Sequence, residues 1–518
     1  MRGKPGSHGG GQAGSRELVI LSANCKGNRC ESESRVKLVS WFGLVVLVAL
    51  SGPTQARAVP AGPGLALTHV AVIDSMGSTP RLDQTVVIVN GRISALGPSA
   101  RIKPPKGARV IDAQGKFLIP GLWDMQVFVA GADADLAWTK QVLLPLLVAN
   151  GVTGVRDMGG DLDALAGWKR EIESGTLVGP HIVASGPFLV SSGDKTAEQY
   201  PVTNVDQARA AVRELKRRGA DFIKIISLPS KEVFFAVADE AKKQGIPFAG
   251  HLPFQVSVIE ASDAGIRSIE HLLYSAFSLS FSSKEDDLRA RLVAAEEQGD
   301  SVVWEQIAHE SDATYDNAKA ATLFRTLKRN GTWVTPALAS LDITAHPEDW
   351  SADDPQLVFM PASLAQQWRD SLHDTEMRER AAWLARQAAN DWRLTGELQK
   401  AGIPLLAGSD MLAPFVFPGE SIHRELGELV RAGLTPAEAL AAATSGAAKF
   451  LGRENDLGTV ETGKRADLLL LDGSPLENIA NTQRIAAVVR DGNYLDRAAL
   501  DKMLAQAKTA AASAPAAK

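Results

Sequence analysis

Four ionisable side chains stand within or at the ends of short apolar segments. Lys224 lies inside "DFIKIIS", His251 ends "PFAGH", His271 ends "SIEH" and Asp410 ends "LLAGSD". A buried ammonium among isoleucines is costly, and burial lowers the pKa of a lysine amine. A neutral amine can capture carbon dioxide as a carbamate, whose two oxygens can bind metals. Two imidazoles, a carboxylate and a carbamate together form a ligand set for zinc or a similar divalent ion.

Each of these residues also has a purely structural interpretation. A buried histidine is more often hydrogen-bonded in a core than bound to a metal, and an aspartate at a strand end often caps the next helix. Lys224 could pair with a carboxylate. Glu270 precedes His271, so on an extended strand it points to the opposite face and is predicted to be structural. His181 begins its segment and is predicted to face the other end of the sheet.

The segments that carry these residues belong to a series of apolar runs alternating with helical sequence, which indicates βα units and a parallel sheet. Eight such runs fit a (β/α)8 barrel, a TIM-like α/β fold that places its catalytic residues where the strands end. A doubly wound open sheet is the alternative, but no Gly-rich dinucleotide fingerprint follows any run. The predicted strands are 121–129, 151–159, 181–189, 221–227, 247–253, 268–274, 332–338 and 404–410.

The ends of the chain have a different texture. Short β-prone runs with Asn90-Gly91 and Asp491-Gly492 hairpin turns predict a small β-sandwich domain built from residues 59–117 and 458–500. The barrel then occupies 118–457, with helical, charge-rich inserts at 275–331 and 339–400 that are expected to cover the site or to present solvated helix faces. The low-complexity tail, 509–518, is predicted to be disordered.

Composition and the N-terminus narrow the function classes. The chain has 518 residues, 45% of them hydrophobic, and a net charge of −5, which favours a small-molecule substrate over nucleic acid. The 13-residue apolar run 38–50 follows Arg35 and Lys37, so residues 1–58 are predicted to be an extension and signal peptide cleaved before Val59. An uncleaved anchor is the alternative, although the run is short for a spanning helix. We expect an exported protein, periplasmic or extracellular, with no stable membrane anchor after cleavage.

In order and spacing, several motifs together resemble the metal-dependent amidohydrolases, and among them the imidazolonepropionase-like and prolidase-like exported members. They are "FLIPGLWDM", "GVTGVRDMGG", "DFIKI", "GHLP", "IEH", "GSD", "HRELGELVRAGLTPAEALAAAT" and "GTVETGKRADLLLLDGSPL". The resemblance spans about residues 65–495. It implies the split β domain, the barrel and a metal centre that activates water to cut C–N bonds, usually amides. It further implies that Lys224 is a carboxylated bridging ligand, that His251 and His271 bind the second metal, and that Asp410 binds the first metal and shuttles the proton.

One strand departs from the family pattern. Members usually carry His-x-His after the "DM" of the first barrel strand, and this chain has Gln126 and Phe128 there. Glutamine offers one weak carbonyl oxygen and phenylalanine offers none, so the first metal would keep too few ligands. Lys224, His251 and His271 still make a three-ligand site, and three protein ligands plus water are sufficient for a catalytic zinc. One ion is therefore expected rather than two.

Two functions follow from this pattern. The first is an exported hydrolase of a C–N bond, amide or cyclic amide, in a small-molecule or dipeptide-like substrate, with Asp410 as the catalytic residue. The second is a catalytically inactive binding protein on the same fold, which the lost His-x-His pair favours. His423 matches a family position near the substrate, so it is a candidate substrate-binding residue, with a packing role as its alternative. A sugar or phosphate enzyme on the same barrel has no motif behind it.

Overall fold

The computed structural model describes residues 64–74, 79–131, 135–273, 276–298 and 301–513. The predicted signal peptide lies outside these residues. The strands are β1 Leu65–Val72, β2 Arg81–Val89, β3 Arg92–Pro98, β4 Arg109–Asp112, β5 Phe117–Pro120, β6 Leu122–Val127, β7 Val152–Asp157, β8 His181–Ala184, β9 Phe188–Val190, β10 Gln199–Pro201, β11 Ile223–Ile225, β12 Phe248–Gly250, β13 Ser268–Glu270, β14 Trp333–Thr335, β15 Leu468–Leu471, β16 Ile485–Arg490 and β17 Asn493–Asp496.

The α-helices are α1 Leu136–Trp138, α2 Leu144–Ala149, α3 Leu162–Glu173, α4 Val205–Arg218, α5 Lys231–Gln244, α6 Val258–Asp263, α7 Glu285–Gln298, α8 Ser301–Ala313, α9 Asn317–Asn330, α10 Leu338–Ala345, α11 Ala362–Ser371, α12 Thr375–Lys400, α13 Ser421–Arg431, α14 Pro436–Ala442, α15 Ser445–Phe450 and α16 Arg497–Ser513. A π-helical turn, Thr139–Leu143, joins α1 to α2, and short 3-10 turns span Phe277–Phe281, Pro347–Asp349, Pro355–Phe359 and Ile479–Gln483. Among the described helices, none combines the length and apolar content needed to cross a membrane.

The two ends of the chain form one eight-stranded sheet, as the sequence predicted for a composite β domain. Its order is β17-β16-β15-β5-β1-β2-β3, with β4 paired to β1, so the link between the two ends is the antiparallel pair β15–β5. Both hairpin turns are confirmed, because Asn90, Gly91, Asp491 and Gly492 all have positive φ. The two turns touch, since a Cβ atom on Gly492 would lie 2.7 Å from the Cα of Gly91. Glycine is required there by both close approach and backbone conformation.

The middle of the chain is a TIM-like α/β domain. Parallel ladders join β6-β7-β8 in one sheet and β10-β9-β11-β12-β13-β14 in another. The eighth predicted strand, 404–410, forms one bridge, Val334 to Leu405, rather than a regular ladder. The Ala407 carbonyl of this segment nevertheless accepts a hydrogen bond from Met125 N–H at 2.9 Å, and Asp410 N–H donates to the Gln126 carbonyl at 2.9 Å. These bonds bring the last barrel segment beside the first.

The helices that follow the strands begin and end where the sequence provides caps. The Thr435 hydroxyl and the Glu438 carboxylate form a reciprocal capping box at the start of α14. The insert 275–331 contains α7, α8 and α9, and the insert 339–400 contains most of α10 together with α11 and α12, which agrees with their helical texture.

The prediction of a disordered tail is wrong for its first part. α16 continues to Ser513, and residues 514–518 are not described. The reason is that alanine has the highest helix propensity, and Ala507 and Ala511 are buried against the main core. The first part of the low-complexity tail is therefore helical, and one face of this helix packs on the core.

Candidate active site

The structure gathers five of the predicted site residues at the end of the parallel strands. Gln126 lies near the end of β6, Lys224 lies in β11, His251 and His271 directly follow β12 and β13, and Asp410 ends the eighth segment. Gln126 and Lys224 are fully buried, and the Asp410 side chain keeps 20% of its surface exposed. The five side chains form a polar centre that opens to solvent at Asp410.

Two of these residues are held in a backbone conformation that non-glycine residues rarely adopt. φ is +56° at His271 and +54° at Asp410. Such left-handed residues cost free energy and persist where the surrounding structure holds them, often at functional sites. This conformation interrupts the regular alternation of side chains that the preceding strand would otherwise continue.

Gln126 bridges two of the other members through its amide nitrogen. Nε2 lies 2.6 Å from His271 Nε2 and donates to Asp410 Oδ1 at 3.0 Å. His271 Nε2 is also 3.5 Å from Asp410 Oδ2. With the imidazole neutral, its Nε2 lone pair accepts the second amide hydrogen, so one NH₂ group serves two acceptors.

The two histidines stand against each other edge to face. Their ring centroids are 5.0 Å apart, with an interplanar angle of 83°. Burial lowers the pKa of both rings, and Lys224 lowers that of His251 further. Neutral imidazole is the form that binds a metal ion.

Lys224 has few polar neighbours. Its Nζ lies 3.7 Å from Glu270 Oε2 and has no hydrogen-bond partner among the described residues. Burial lowers its pKa to about 8, despite the attraction of Glu270. The lowered pKa makes the neutral amine more accessible than in an exposed lysine, and neutral amine is what carboxylation requires.

Glu270 corrects the sequence analysis. It does not point away from the site, because its carboxylate faces Lys224 and accepts from Arg156 Nη2 at 2.8 Å. His271 reverses the backbone instead, so both residues reach the interior of the barrel. Arg156 also donates to Ser268 Oγ at 2.8 Å and to the Met125 carbonyl at 2.6 Å. The "VRD" of β7 was the sequence signal for this buried ion pair, and it was missed.

Phe128 belongs to an apolar cluster and not to the polar centre. It packs with Met158, Phe222 and Ala249, and Gly159 leaves it room, since a Cβ there would lie 3.3 Å from its ring. The second position of the family pair is therefore filled with hydrocarbon.

His423 is not brought to the site. It is buried in α13, with Nδ1 2.9 Å from Thr482 Oγ1 and Nε2 3.0 Å from the Asn150 carbonyl. These contacts match the packing alternative and do not fit substrate binding. His181 lies at the start of β8, as predicted, where its Nε2 is 2.8 Å from Asp467 Oδ2.

The insert helices cover the mouth of the polar centre. Ser340 of α10 donates to Asp410 Oδ2 at 3.4 Å, and Asp391 of α12 lines the same small cavity as His271. The inserts are predictable from the sequence but these two residues are not, because nothing in a charge-rich helix marks one carboxylate as buried.

Within the described part of the chain, no three Asp, Glu, His or Cys side chains are arranged as a metal site. The polar centre contributes two imidazoles and one carboxylate of those types, and Gln126 separates them.

Several known proteins are similar to this chain. A sequence profile of the amidohydrolase family matches residues 117–495. Ochratoxinase from Aspergillus niger is 25% identical over 467 residues, covering 79% of this chain and 81% of that enzyme. Imidazolonepropionase from Rubrobacter xylanophilus is 48% identical over 68 residues, which cover 12% of this chain and 16% of that protein. A Xaa-Pro dipeptidase solved with methionine in its active site superposes with a TM-score of 0.62 at 20% identity, covering 84% of this chain and 100% of that chain.

Proposed function

Because this chain belongs to the amidohydrolase family, we propose that it hydrolyses a C–N bond in a small amide. The observation that carries the proposal is the meeting of Asp410 with two neutral imidazoles and a buried lysine at the ends of the barrel strands. Substrates with an amino-acid or peptide-like part suit this centre, since ochratoxinase and a Xaa-Pro dipeptidase are similar to this chain. The dipeptidase was solved with methionine bound in its active site. Cyclic amides remain within the proposal.

The residues fit one divalent ion, and zinc is the ion that we propose. Two buried polar atoms of the centre, Lys224 Nζ and Gln126 Oε1, have no hydrogen-bond partner among the described residues. Orphaned buried polar atoms often mark an ion or a modification. A carboxylated Lys224 with His251 and His271 supplies three ligands, and Gln126 Oε1 is an additional oxygen. A second ion lacks ligands, because Phe128 contributes none.

Asp410 is the proposed general base. A divalent ion supplies one thing when bound, a lowered pKa of coordinated water. Asp410 Oδ2 accepts the proton of the attacking water and returns it to the leaving nitrogen, while the water oxygen forms the new bond to the carbonyl carbon and the C–N bond breaks. Gln126 and Ser340 donate to the two oxygens of Asp410 and so orient its carboxylate. Gln126 is thus a positioning residue.

A specific observation favours the second candidate, a binding protein without catalysis. The Gln126 amide nitrogen stands 2.6 Å from His271 Nε2, the atom that a metal ion would need. If the Gln126 amide keeps this contact with His271, the centre is a polar pocket and not a metal centre.

One experiment separates the two candidates. Bound metal is measured per chain in the purified mature protein, in His251→Ala and in Gln126→His/Phe128→His. About one ion that disappears in His251→Ala supports the hydrolase, and a second ion in the double variant supports the assignment of positions 126 and 128. No ion in the parent protein, after loading with zinc and bicarbonate, would favour the binding protein.

We further propose that the protein is exported, because the run 38–50 and the small residues before Val59 have the pattern of a signal peptide. Expression of the full chain in a bacterium, followed by N-terminal sequencing of the periplasmic product, should give a mature end at Val59. Retention of residues 1–58 in the cytoplasm would contradict export.

A further inference from the structure

The eighth barrel segment runs into a tight turn, residues 410–416, whose backbone is strained. φ is +54° at Asp410, +80° at Leu412 and +60° at Phe415. Non-glycine residues seldom adopt positive φ, and the conformation is costly for bulky side chains such as those of leucine and phenylalanine. Three such residues in one short turn persist only where other contacts offset the strain.

The hydrogen bonds inside the strained turn offset little of this cost. Leu412 N–H donates to the Val416 carbonyl at 3.0 Å, and Val416 N–H donates to the Ala413 carbonyl at 2.9 Å. Water would replace both bonds in an opened turn, so each stabilises the turn only modestly. The larger contribution comes from burial of the Phe415 ring, which is 3% exposed.

Phe415 is buried by two tryptophans of the insert 339–400. Trp350, which follows the 3-10 turn Pro347–Asp349, stacks on it with ring centroids 4.8 Å apart and an interplanar angle of 23°. Trp368 of α11 lies 5.8 Å away at 34°. Ring pairs at these separations attract beyond the area that they bury. The insert therefore supplies the contacts that hold the strained turn.

The same insert also holds the Asp410 side chain. Ser340 Oγ donates to Asp410 Oδ2 at 3.4 Å, and Trp350 Nε1 donates to the Ile343 carbonyl at 2.9 Å. Ser340 and Ile343 both belong to α10. This helix is thus linked to Asp410 by two routes, to the carboxylate through Ser340 and to the backbone through Trp350 and Phe415.

We propose that Trp350 and Phe415 form an aromatic clamp that positions Asp410. The stacked rings hold the strained turn in one conformation, and that conformation fixes the Asp410 carboxylate between the donors Gln126 and Ser340. Both clamp residues are positioning residues. The part of Asp410 as a general base rests on the proposed hydrolysis, whereas the clamp itself is tested without it.

Hydrogen–deuterium exchange tests the clamp without requiring turnover. In Trp350→Leu, the amides of residues 410–416 should exchange about tenfold faster than in the wild type, because the ring stack no longer offsets the strain. The Leu406 amide precedes the turn and donates to the Val334 carbonyl at 2.9 Å, so it should keep its rate. Equal acceleration at both places, or none in the turn, would overturn the inference and leave Trp350 as an ordinary packing residue.

Two more variants separate stacking and strain from loss of volume. Trp350→Phe keeps a planar ring and should restore the protection that Trp350→Leu loses; exchange as fast as in the leucine variant would show that the stack does not hold the turn. Leu412→Asn should slow exchange of the turn, since asparagine tolerates positive φ better than leucine. Faster exchange in Leu412→Asn would contradict the stored strain.

Trp304→Leu is the matched control. Trp304 is a half-buried tryptophan of the insert 275–331, and its ring centroid lies 5.1 Å from that of Phe254. Its substitution removes an aromatic pair of similar size away from the strained turn, so exchange in residues 410–416 should not change. Acceleration there would indicate general loosening of the inserts and would overturn the clamp.

Turnover separates the clamp from the proposed function. With a panel of amino-acid p-nitroanilides, Trp350→Leu should lower kcat about tenfold with KM and zinc content little changed, because Lys224, His251 and His271 lie outside the turn. Trp350→Phe should recover kcat. Faster exchange in a protein that cleaves no anilide of the panel would support the clamp and contradict the hydrolase. Cleavage with equal kcat in the wild type and in Trp350→Leu would support the hydrolase and overturn the positioning of Asp410.

Discussion

Replacing Arg156 by methionine tests the buried ion pair beneath the polar centre. The guanidinium is 1% exposed and its partner Glu270 is 0% exposed, with 2.8 Å between Nη2 and Oε1. Removing one partner of such a pair leaves an uncompensated buried charge, which costs about 3–5 kcal/mol. Lys224 Nζ remains 3.7 Å from Glu270 and can compensate in part, so we expect a loss near 3 kcal/mol.

The same variant should lower metal content. In the wild-type protein, Arg156 lowers the pKa of Lys224 and Glu270 raises it. Without Arg156 the pKa of Lys224 should rise, because Glu270 then stabilises its ammonium form unopposed by the guanidinium. An ammonium cannot be carboxylated, so zinc per chain should fall together with stability. Stability is read from urea unfolding and zinc from elemental analysis.

The pair variant Arg156→Met/Glu270→Leu completes the experiment. Replacing both charges by hydrocarbon is often neutral, so it should recover most of the lost unfolding free energy. Arg289→Met is the control, since Arg289 and Glu285 form another buried pair, 2.9 Å apart in α7, outside the centre. It should reduce stability with zinc content unchanged. A loss below about 1 kcal/mol in Arg156→Met, or a larger loss in the pair variant, would refute the reasoning.

Two further predictions concern single side chains, and a third concerns the end of α16. Lys224→Ala should lose bound zinc, and millimolar propionate should restore part of it by replacing the carbamate oxygens; elemental analysis after dialysis decides, and unchanged zinc in the variant would exclude Lys224 as a ligand. Burial lowers the pKa of His423 to about 4, so the unfolded chain takes up a proton below about 6.5 while the folded chain does not, and stability should fall by about 3 kcal/mol from pH 6.5 to pH 4. His423→Gln should flatten that slope in urea titrations, and an unchanged slope would assign it to other groups. Truncation after Lys508 should cost about 1 kcal/mol, because Ala511 is 2% exposed, and an unchanged melting curve would contradict its packing role.

Much of this molecule could be predicted from periodicity and turn chemistry. The hairpins at Asn90-Gly91 and Asp491-Gly492 were predictable, because few residue pairs tolerate two positive φ values in succession. The apolar segments that lead to Lys224, His251 and His271 were predictable because buried parallel strands are apolar runs, so a polar residue in or after one stands out.

The errors have a different physical origin. Glu270 was placed on the wrong face, because strict alternation fails where His271 adopts positive φ, and no residue type announces that for a histidine. His423 and Asp391 depend on contacts with residues far away in sequence, such as Asn150 and Leu273. A single sequence carries no signal for such pairings, whereas it does carry the local pattern of a strand or a cap.

The contacts of Gln126 and Phe128 decide how the missing His-x-His pair is to be interpreted. A site that had simply decayed would be expected to leave Asp410 and His271 without a donor between them, at a cost of about 1–3 kcal/mol for each unsatisfied buried group. Instead, the Gln126 amide donates one hydrogen bond to His271 and one to Asp410. Two N–H donors therefore take the place that the positive charge of an ion would have. Phe128 fills the neighbouring space with hydrocarbon that packs on Met158 and Phe222. Because the two replacements are complementary to their surroundings, we interpret them as substitutions that stabilise the centre, and the zinc site that we propose then rests on Lys224, His251 and His271.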